Sequence, residues 1–249
     1  MSLSLAPHSL RYSIVLPCYN EAGTIPSLFE RFAVALQGRS DFEVIFVNNG
    51  SRDESAVVFA EEESKPDRTF ARVLSVEVNQ GYGFGILNGL QAARGEFVGW
   101  THADSQYDPA IALAGFEALR RAPDPMHTIL RGRRVQRNWF DVLFTAGMSV
   151  VASSALGTRL SDVNAQPKLF HRSFLGLMRE PPSDFSLDLY TLFLARRHGY
   201  QFLELPVVFN RRLHGKAKGG GSLALKWNLS KRTLMFILHL RRDVRSGRV

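Results

Sequence analysis

The sequence predicts an α/β fold, with a mostly parallel sheet flanked by helices, and three observations predict it. Short apolar runs alternate with helical patterns from residue 13 through residue 122. A polar cluster follows each strand-like run, where such sheets bind ligands, off the carboxyl ends of their strands. The 249 residues are 45% hydrophobic, ample for the core of one large domain.

Ser13–Leu16 reads as a first buried strand closed by Pro17, and Cys18–Glu21 as the loop at its carboxyl end. Gly23–Leu36 is helical, with Leu28, Phe32 and Leu36 on one stripe. Phe42–Val47 is rich in β-branched and aromatic residues and reads as the second strand. Asn48-Asn49-Gly50-Ser51 then signals a turn, and Asp53 is placed to cap a helix running to about Glu63. Arg72–Val78 is the third strand. Gly81-Tyr82-Gly83-Phe84-Gly85 follows it, then a helical stretch to Arg94. Such a glycine cluster permits a tight turn and close backbone approach. It lies after the third strand rather than the first, which argues against a dinucleotide fold.

Phe97–Thr101 is the fourth strand, and the helix after it starts at Pro109. Thr128–Leu130 is a fifth strand ending in Arg131-Gly132-Arg133-Arg134, and Asn138–Leu156 an amphipathic helix. Asp162–Arg172 is a loop entering a short strand. Ser183–Arg197 reads as a helix with Asp184 and Asp188 on one face, and Phe202–Val208 as the last strand. A basic glycine-rich loop, Arg211–Gly221, precedes a final helix over Leu223–Leu240. The expected organisation is a domain over residues 1–221, followed by a basic amphipathic helix and tail over 222–249.

Charge is unevenly placed. Residues 211–249 hold eleven Lys or Arg and one acid, so this segment is +10 and residues 1–210 are −2, in a chain of net charge +8. A basic tail suits nucleic acid, an anionic membrane face or a phosphorylated substrate. No nucleic-acid motif and no interleaved sheet aromatics accompany it, so nucleic acid is set aside. The single cysteine, Cys18, excludes a disulfide framework and fits a reducing compartment. Residues 1–10 carry no basic segment before an apolar core, so no signal peptide is expected. The longest uncharged stretch, Val142–Gly157, is too short and too rich in hydroxyls for a membrane span of roughly 20 apolar residues.

The densest chemistry lies in Phe97-Val98-Gly99-Trp100-Thr101-His102-Ala103-Asp104-Ser105-Gln106-Tyr107-Asp108-Pro109. His102, Asp104 and Gln106 alternate, so an extended backbone turns all three to one side. Nitrogen and oxygen donors at that spacing suit a divalent cation, and the cation suits a phosphorylated ligand. The other reading is a polar loop in which Asp108 caps the helix after Pro109.

Eight clusters in order resemble the family 2 inverting glycosyltransferases of the GT-A fold, over about residues 12–220. The resemblance is strongest to the dolichol- and polyprenyl-phosphate mannose or glucose synthases. Leu16-Pro17-Cys18-Tyr19-Asn20-Glu21 is similar to the family's Pro-x-Tyr-Asn-Glu, and Val47–Asp53 to its Asp-Asp-Gly-Ser-x-Asp. Gly81-Tyr82-Gly83 resembles the glycine turn, and His102–Gln106 the Asp-Ala-Asp-x-Gln stretch. Gly132-Arg133-Arg134 resembles Gly-Ser-Arg, and Asp162 with Lys168–Arg172 the later Asp-x-x-x-Gly-x-Arg stretch. Phe185–Asp188 falls at the acidic residue on a helix, and Arg212–Lys218 resembles Arg-x-x-Gly-x-Ser-Lys.

The resemblance implies a nucleotide-sugar donor held by Pro17, Tyr19, Glu21, Asn49, Asp53, Gly81 and Gly83. It implies a divalent metal on His102, Asp104 and Gln106. Catalysis would rest on Asp104, Asp188, Arg134 and Lys218. Arg133, Asp162, Arg212, His214 and Lys216 would contact acceptor or diphosphate. Glu21 has a second reading as a helix-capping residue, and Asn48 and Asn49 as turn formers. Two departures stand out: amides replace both acids of the second motif, and His102 replaces the first acid of the metal pair. Neutral imidazole suits Mn²⁺ better than Mg²⁺, so Mn²⁺ is expected to support activity better.

A lipid-phosphate acceptor is expected, with the protein cytoplasmic and peripheral on an anionic membrane face through its last helix. Packing of that helix on the body or on a second subunit is the alternative. Asp188 is a general base if the acceptor is a glycan hydroxyl, and a positioning group if it is already an ionised phosphate. A non-catalytic nucleotide-sugar binding module is the remaining reading.

Overall fold

The computed structural model describes residues 10–103, 108–135, 149–208 and 223–247. A seven-stranded sheet is built from β1 (Tyr12–Cys18), β2 (Phe42–Asn49), β3 (Ala71–Val76), β4 (Phe97–Trp100), β5 (Thr128–Arg134), β6 (Lys168–His171) and β7 (Gln201–Val207). Their order across the sheet is β3-β2-β1-β4-β6-β5-β7. β6 is antiparallel to both its neighbours, and every other pairing is parallel. The carboxyl ends of β1, β2, β4 and β5 therefore share one edge.

The helices are α1 (Ile25–Ala35), α2 (Ser55–Glu63), α3 (Tyr82–Ala92), α4 (Pro109–Arg120), α5 (149–156), α6 (Leu187–Arg197) and α7 (Leu223–Arg245). Strands β1 and β2 are apolar on both faces because helices cover both. Ile14, Leu16, Val44 and Phe46 pack with Phe29, Phe32, Phe59 and Phe116 from α1, α2 and α4. Their alternates Val15, Ile45 and Val47 pack with Ile86, Leu90, Leu192 and Ile237 from α3, α6 and α7. Phe29 and Phe46 stack at 4.3 Å between centroids.

Pro17 does not close β1 but lies inside it. The Val15 carbonyl accepts from the Thr101 N–H, so Val15 and Pro17 face the β4 side, and β4 ends opposite Val15. The missing proline N–H therefore interrupts no ladder. β5 runs through Arg134, four residues past the apolar run, because it keeps pairing with β7. The glycine cluster is not a loop before a helix: Tyr82 to Gly85 form the first turn of α3. α6 begins at Leu187, so Asp184 precedes the helix, where its Oδ1 accepts from the Ser186 N–H at 2.8 Å. Asp184 and Asp188 thus share no helical face. Asp108 caps α4 through the Ala110 N–H, at 3.0 Å. The expected helix over Asn138–Leu156 lies partly outside the described residues.

The last helix runs to Arg245 and packs on the body. Ile237 and Leu240 are buried, and the Phe236 ring meets Tyr190 edge-on at 6.3 Å. Leu234, Met235 and Leu238 remain 40%, 61% and 44% exposed beside the exposed Lys231, Arg232 and Arg242. No described helix is long and apolar enough to cross a membrane.

Candidate active site

The loops after β1 and β2 are fastened to each other at the carboxyl edge. The Asn20 N–H donates to Ser51 Oγ at 3.0 Å, and the Arg52 N–H to Asn20 Oδ1 at 2.8 Å. The Glu21 N–H reaches Ser55 Oγ at 3.1 Å, and the Ala22 N–H reaches Asp53 Oδ2 at 3.2 Å. Asn20 adopts φ 52°, which its short side chain tolerates. These bonds bring Pro17, Tyr19, Glu21 and Asp53 into one rim. Burial raises the Asp53 pKa, but the Ser55 hydroxyl and the Ala22 and Ser55 N–H groups outweigh it and leave it below the usual aspartate range. Asp53 does not cap the next helix directly; its Oδ1 accepts from Ser55, the first helical residue. Glu21 Oε2 accepts from the Thr24 hydroxyl at 2.9 Å, at the start of α1.

Asn48 Oδ1 accepts from the Ser51 N–H, the turn role that Asn-Gly signals. Buried Asn49 donates from Nδ2 to the Gly81 carbonyl at 2.9 Å, tying β2 to the glycine turn. Gly81 has φ 118°, and a Cβ there would lie 2.4 Å from the Ser183 carbonyl oxygen. A Cβ on Gly83 would lie 2.5 Å from that of Pro182. The Phe84 N–H donates to the same Ser183 oxygen at 2.9 Å. The glycines thus let the 182–184 segment lie directly on the start of α3. Beside it Tyr82 stacks on Phe185 at 4.6 Å and lies 6.0 Å from the His102 ring.

Of the three expected metal ligands, half-buried His102 is described; Asp104 and Gln106 lie outside the described residues. No group of three His, Cys, Asp or Glu able to hold a metal occurs among the described residues. The donor set of imidazole, carboxylate and amide oxygen is chemically suited to a divalent ion of intermediate softness.

At the end of β5, Arg134 meets Asp162. Nη2 and Nε lie 2.6 and 2.9 Å from Oδ1, while Oδ2 accepts from the Arg134 N–H at 3.0 Å. Asp162 reaches this position with φ 44°. Arg133 is 52% exposed and pairs with Glu204 at 3.5 Å, away from Asp162. Arg212, His214, Lys216 and Lys218 lie outside the described residues.

Asp188 lies in the first turn of α6 and is buried. It is 1% exposed, and Oδ1 accepts from Lys168 Nζ at 2.6 Å, Gln166 Nε2 at 2.9 Å and Trp100 Nε1 at 3.3 Å. Gln166 also approaches the Tyr82 hydroxyl at 3.3 Å. Trp100 and Gln166 were not singled out from the sequence. The available signal was a lysine opening the otherwise apolar Lys168-Leu169-Phe170, since a buried lysine calls for a buried acid. Asn49 Oδ1, Thr101 Oγ1 and Gln166 Oε1 are buried without a partner among the described residues.

Residues 13–171 match the sequence profile of glycosyl transferase family 2. The chain belongs to that family. Among curated relatives, the undecaprenyl-phosphate 4-deoxy-4-formamido-L-arabinose transferase of Aeromonas hydrophila is 28% identical over 213 residues. That match takes in 84% of this chain and 62% of the relative, so the chain spans about three fifths of that protein's length. A dolichyl-phosphate β-glucosyltransferase of Trichomonas vaginalis is 28% identical over 245 residues, with 90% and 73% covered. Among solved structures, glucosyl-3-phosphoglycerate synthase of Mycobacterium tuberculosis, in complex with Mn²⁺, UDP and glucosyl-3-phosphoglycerate, superposes with TM-score 0.70 at 18% identity. That superposition covers 93% of this chain and 79% of the synthase. A Pyrobaculum calidifontis mannosyltransferase in complex with GDP-Man and Mn²⁺ gives 0.67 at 19% identity, with 98% and 68% covered. The architecture is the GT-A fold of this family.

Proposed function

We propose that this chain is an inverting, metal-dependent transferase that moves a sugar from a UDP- or GDP-sugar to a polyprenyl-phosphate acceptor at a membrane face, in cell-envelope glycan synthesis. The observation that carries the choice of acceptor is the burial of Asp188 under three donors. A carboxylate so enclosed is badly placed to take a proton from a sugar hydroxyl. A phosphate acceptor is already ionised near pH 7 and needs no base. The relatives named for undecaprenyl- and dolichyl-phosphate substrates agree with that acceptor class.

The chemistry follows from charge. Breaking the sugar–nucleotide bond leaves negative charge on the diphosphate. Arg134 ends β5 at the same edge as His102 and the two fastened loops, and Asp162 holds its guanidinium in one orientation. An oriented guanidinium matches phosphate oxygens in a plane and needs no reorganisation as charge develops. Lys218, Arg212 and Lys216 add positive charge in the following basic segment, His214 there adds an imidazole able to hydrogen-bond an oxygen, and Arg133 lies beside Arg134. Pro17, Tyr19, Glu21, Asn49 and Asp53, with the Gly81 and Gly83 turn, hold the nucleoside. A divalent ion on His102, Asp104 and Gln106, with Mn²⁺ favoured over Mg²⁺, supplies further neutralisation of the diphosphate when bound. The exposed Leu234, Met235 and Leu238 with their basic flanks suit the cytoplasmic face of an anionic membrane. In this reading the transferase domain spans residues 1–221, and the basic helix and tail over 222–249 follow it.

The test is a donor panel with Mn²⁺: UDP- and GDP-sugars, assayed for binding and for turnover with a short polyprenyl phosphate, with a glycan acceptor and with neither. Turnover confined to the lipid-phosphate arm is expected. Turnover with glycan hydroxyls instead refutes the acceptor assignment, and donor binding without any turnover leaves a binding module.

A further inference from the structure

Lys168 opens β6 with its side chain wholly shut off from solvent. Its Nζ donates to the Val163 carbonyl at 2.8 Å, the Ala165 carbonyl at 3.1 Å and Asp188 Oδ1 at 2.6 Å. An ammonium has three protons, and all three are placed. Burial pulls the Lys168 pKa down while the charge and hydrogen bond of Asp188 oppose it, and Arg131 and Arg134 add to the lowering. Breaking such a pair is strongly destabilising, yet replacing both members with neutral groups is often tolerated. Stability alone therefore does not account for a charge at this position.

What the ammonium grips is the segment 162–166. Val163 and Ala165 lie in it, Gln166 reaches Asp188 from it, and Asp162 begins it. Asp162 sits at φ 44° and orients Arg134 through three hydrogen bonds. We propose that Lys168 is a positioning residue for donor-diphosphate recognition, acting through the 162–166 segment and Asp162 to hold the Arg134 guanidinium. This inference rests on the reading of Arg134 as the group that meets the diphosphate. Lys168 itself touches no substrate in it. The Asp188 carboxylate serves as anchor for the ammonium, and Trp100 ties that anchor to the end of β4.

The test is a double-mutant cycle between Lys168→Met and Arg134→Ala, read as UDP and GDP binding in Mn²⁺ by calorimetry, with amide hydrogen exchange over 162–166. Lys168→Met is expected to weaken diphosphate binding about tenfold when Arg134 is present and less than about twofold when it is absent. It is also expected to speed exchange over 162–166. Where Lys168→Met fails to fold, Lys168→Met/Asp188→Asn removes both charges and leaves an amide oxygen for Gln166 and Trp100. The same cycle is then run on that pair. Equal losses with and without Arg134, no loss in either background, or unchanged exchange overturns the inference. If neither diphosphate binds the unmodified chain, the proposed function falls and the inference with it; binding with additive losses sinks the inference alone.

Discussion

Arg134 and Asp162 hold each other through both the side chain and the backbone: Nη2 lies 2.6 Å from Oδ1, and the Arg134 N–H donates to Oδ2 at 3.0 Å. Two residues expected in separate roles, Arg134 in catalysis and Asp162 in contact with acceptor or diphosphate, thus act as one unit. Arg134→Lys keeps a positive charge and loses the planar fork. A fall in kcat/KM of about tenfold to a hundredfold is expected from it, and Asp162→Asn should match it within a few fold. Steady-state kinetics on the donor sugar provides the check. Wild-type rates in Asp162→Asn would remove Asp162 from the picture.

The metal prediction turns on His102. Turnover with Mn²⁺ should exceed turnover with Mg²⁺, and excess chelator should abolish it. His102→Asp, which restores a hard oxygen ligand, should narrow the gap between the two ions. Equal rates with both ions in the unmodified chain would contradict the imidazole's assigned part.

Gly83 makes a purely steric prediction. A Cβ there meets the backbone oxygens of Pro182 and Asp184 at 2.5 and 2.8 Å, and backbone yields little. Gly83→Ala should lower stability by about 1–3 kcal/mol and separate the 182–184 segment from α3. A thermal melt measures the first effect, and loss of protection at the Phe84 amide, which donates to Ser183, measures the second.

Acid stability rests partly on Glu43. This buried carboxylate accepts from Ser13 Oγ at 2.7 Å, the Arg94 N–H at 2.6 Å and Arg72 Nη1 at 3.1 Å. Burial raises its pKa, and these donors outweigh burial, so it lies below the ordinary 4.5. Its contribution is complete above that value and is lost as pH falls through the lowered folded value. Glu43→Gln should cost about 2 kcal/mol at pH 7, since both arginine partners keep some solvent. The difference from wild type should shrink as pH drops below 4.5. Urea titrations across pH 3 to 7 would expose a pH-independent difference, which contradicts the assignment.

The last helix is best probed by surface changes rather than by deletion. Ile237 and Leu240 belong to the core, so removing α7 would strip the body as well. Leu234→Ser/Met235→Ser/Leu238→Ser alters the exposed face alone. It should reduce sedimentation with anionic vesicles several-fold at an unchanged melting temperature. Undiminished vesicle binding would mean that this face does not meet lipid.

The sequence by itself determined the class of fold, the order of the strands along the chain and the family. Buried β1 and β2 must be apolar on both faces, and turn chemistry must follow them, so Ser13–Leu16 and Phe42–Val47 are legible from composition alone. Arg134, Asp162 and Asp188 were legible as polar residues at sensible spacing, because a motif records which groups a site needs. Tertiary structure decided what those groups do. Asp162 and Asp188 lie 28 and 20 positions from their partners Arg134 and Lys168, and no local pattern encodes such pairings. Whether α7 packs or stands free was likewise undecided by its apolar stripe, because any apolar face satisfies the hydrophobic effect equally well on protein or lipid. Contact with Tyr190 settled it for Phe236, while Leu234, Met235 and Leu238 stayed exposed.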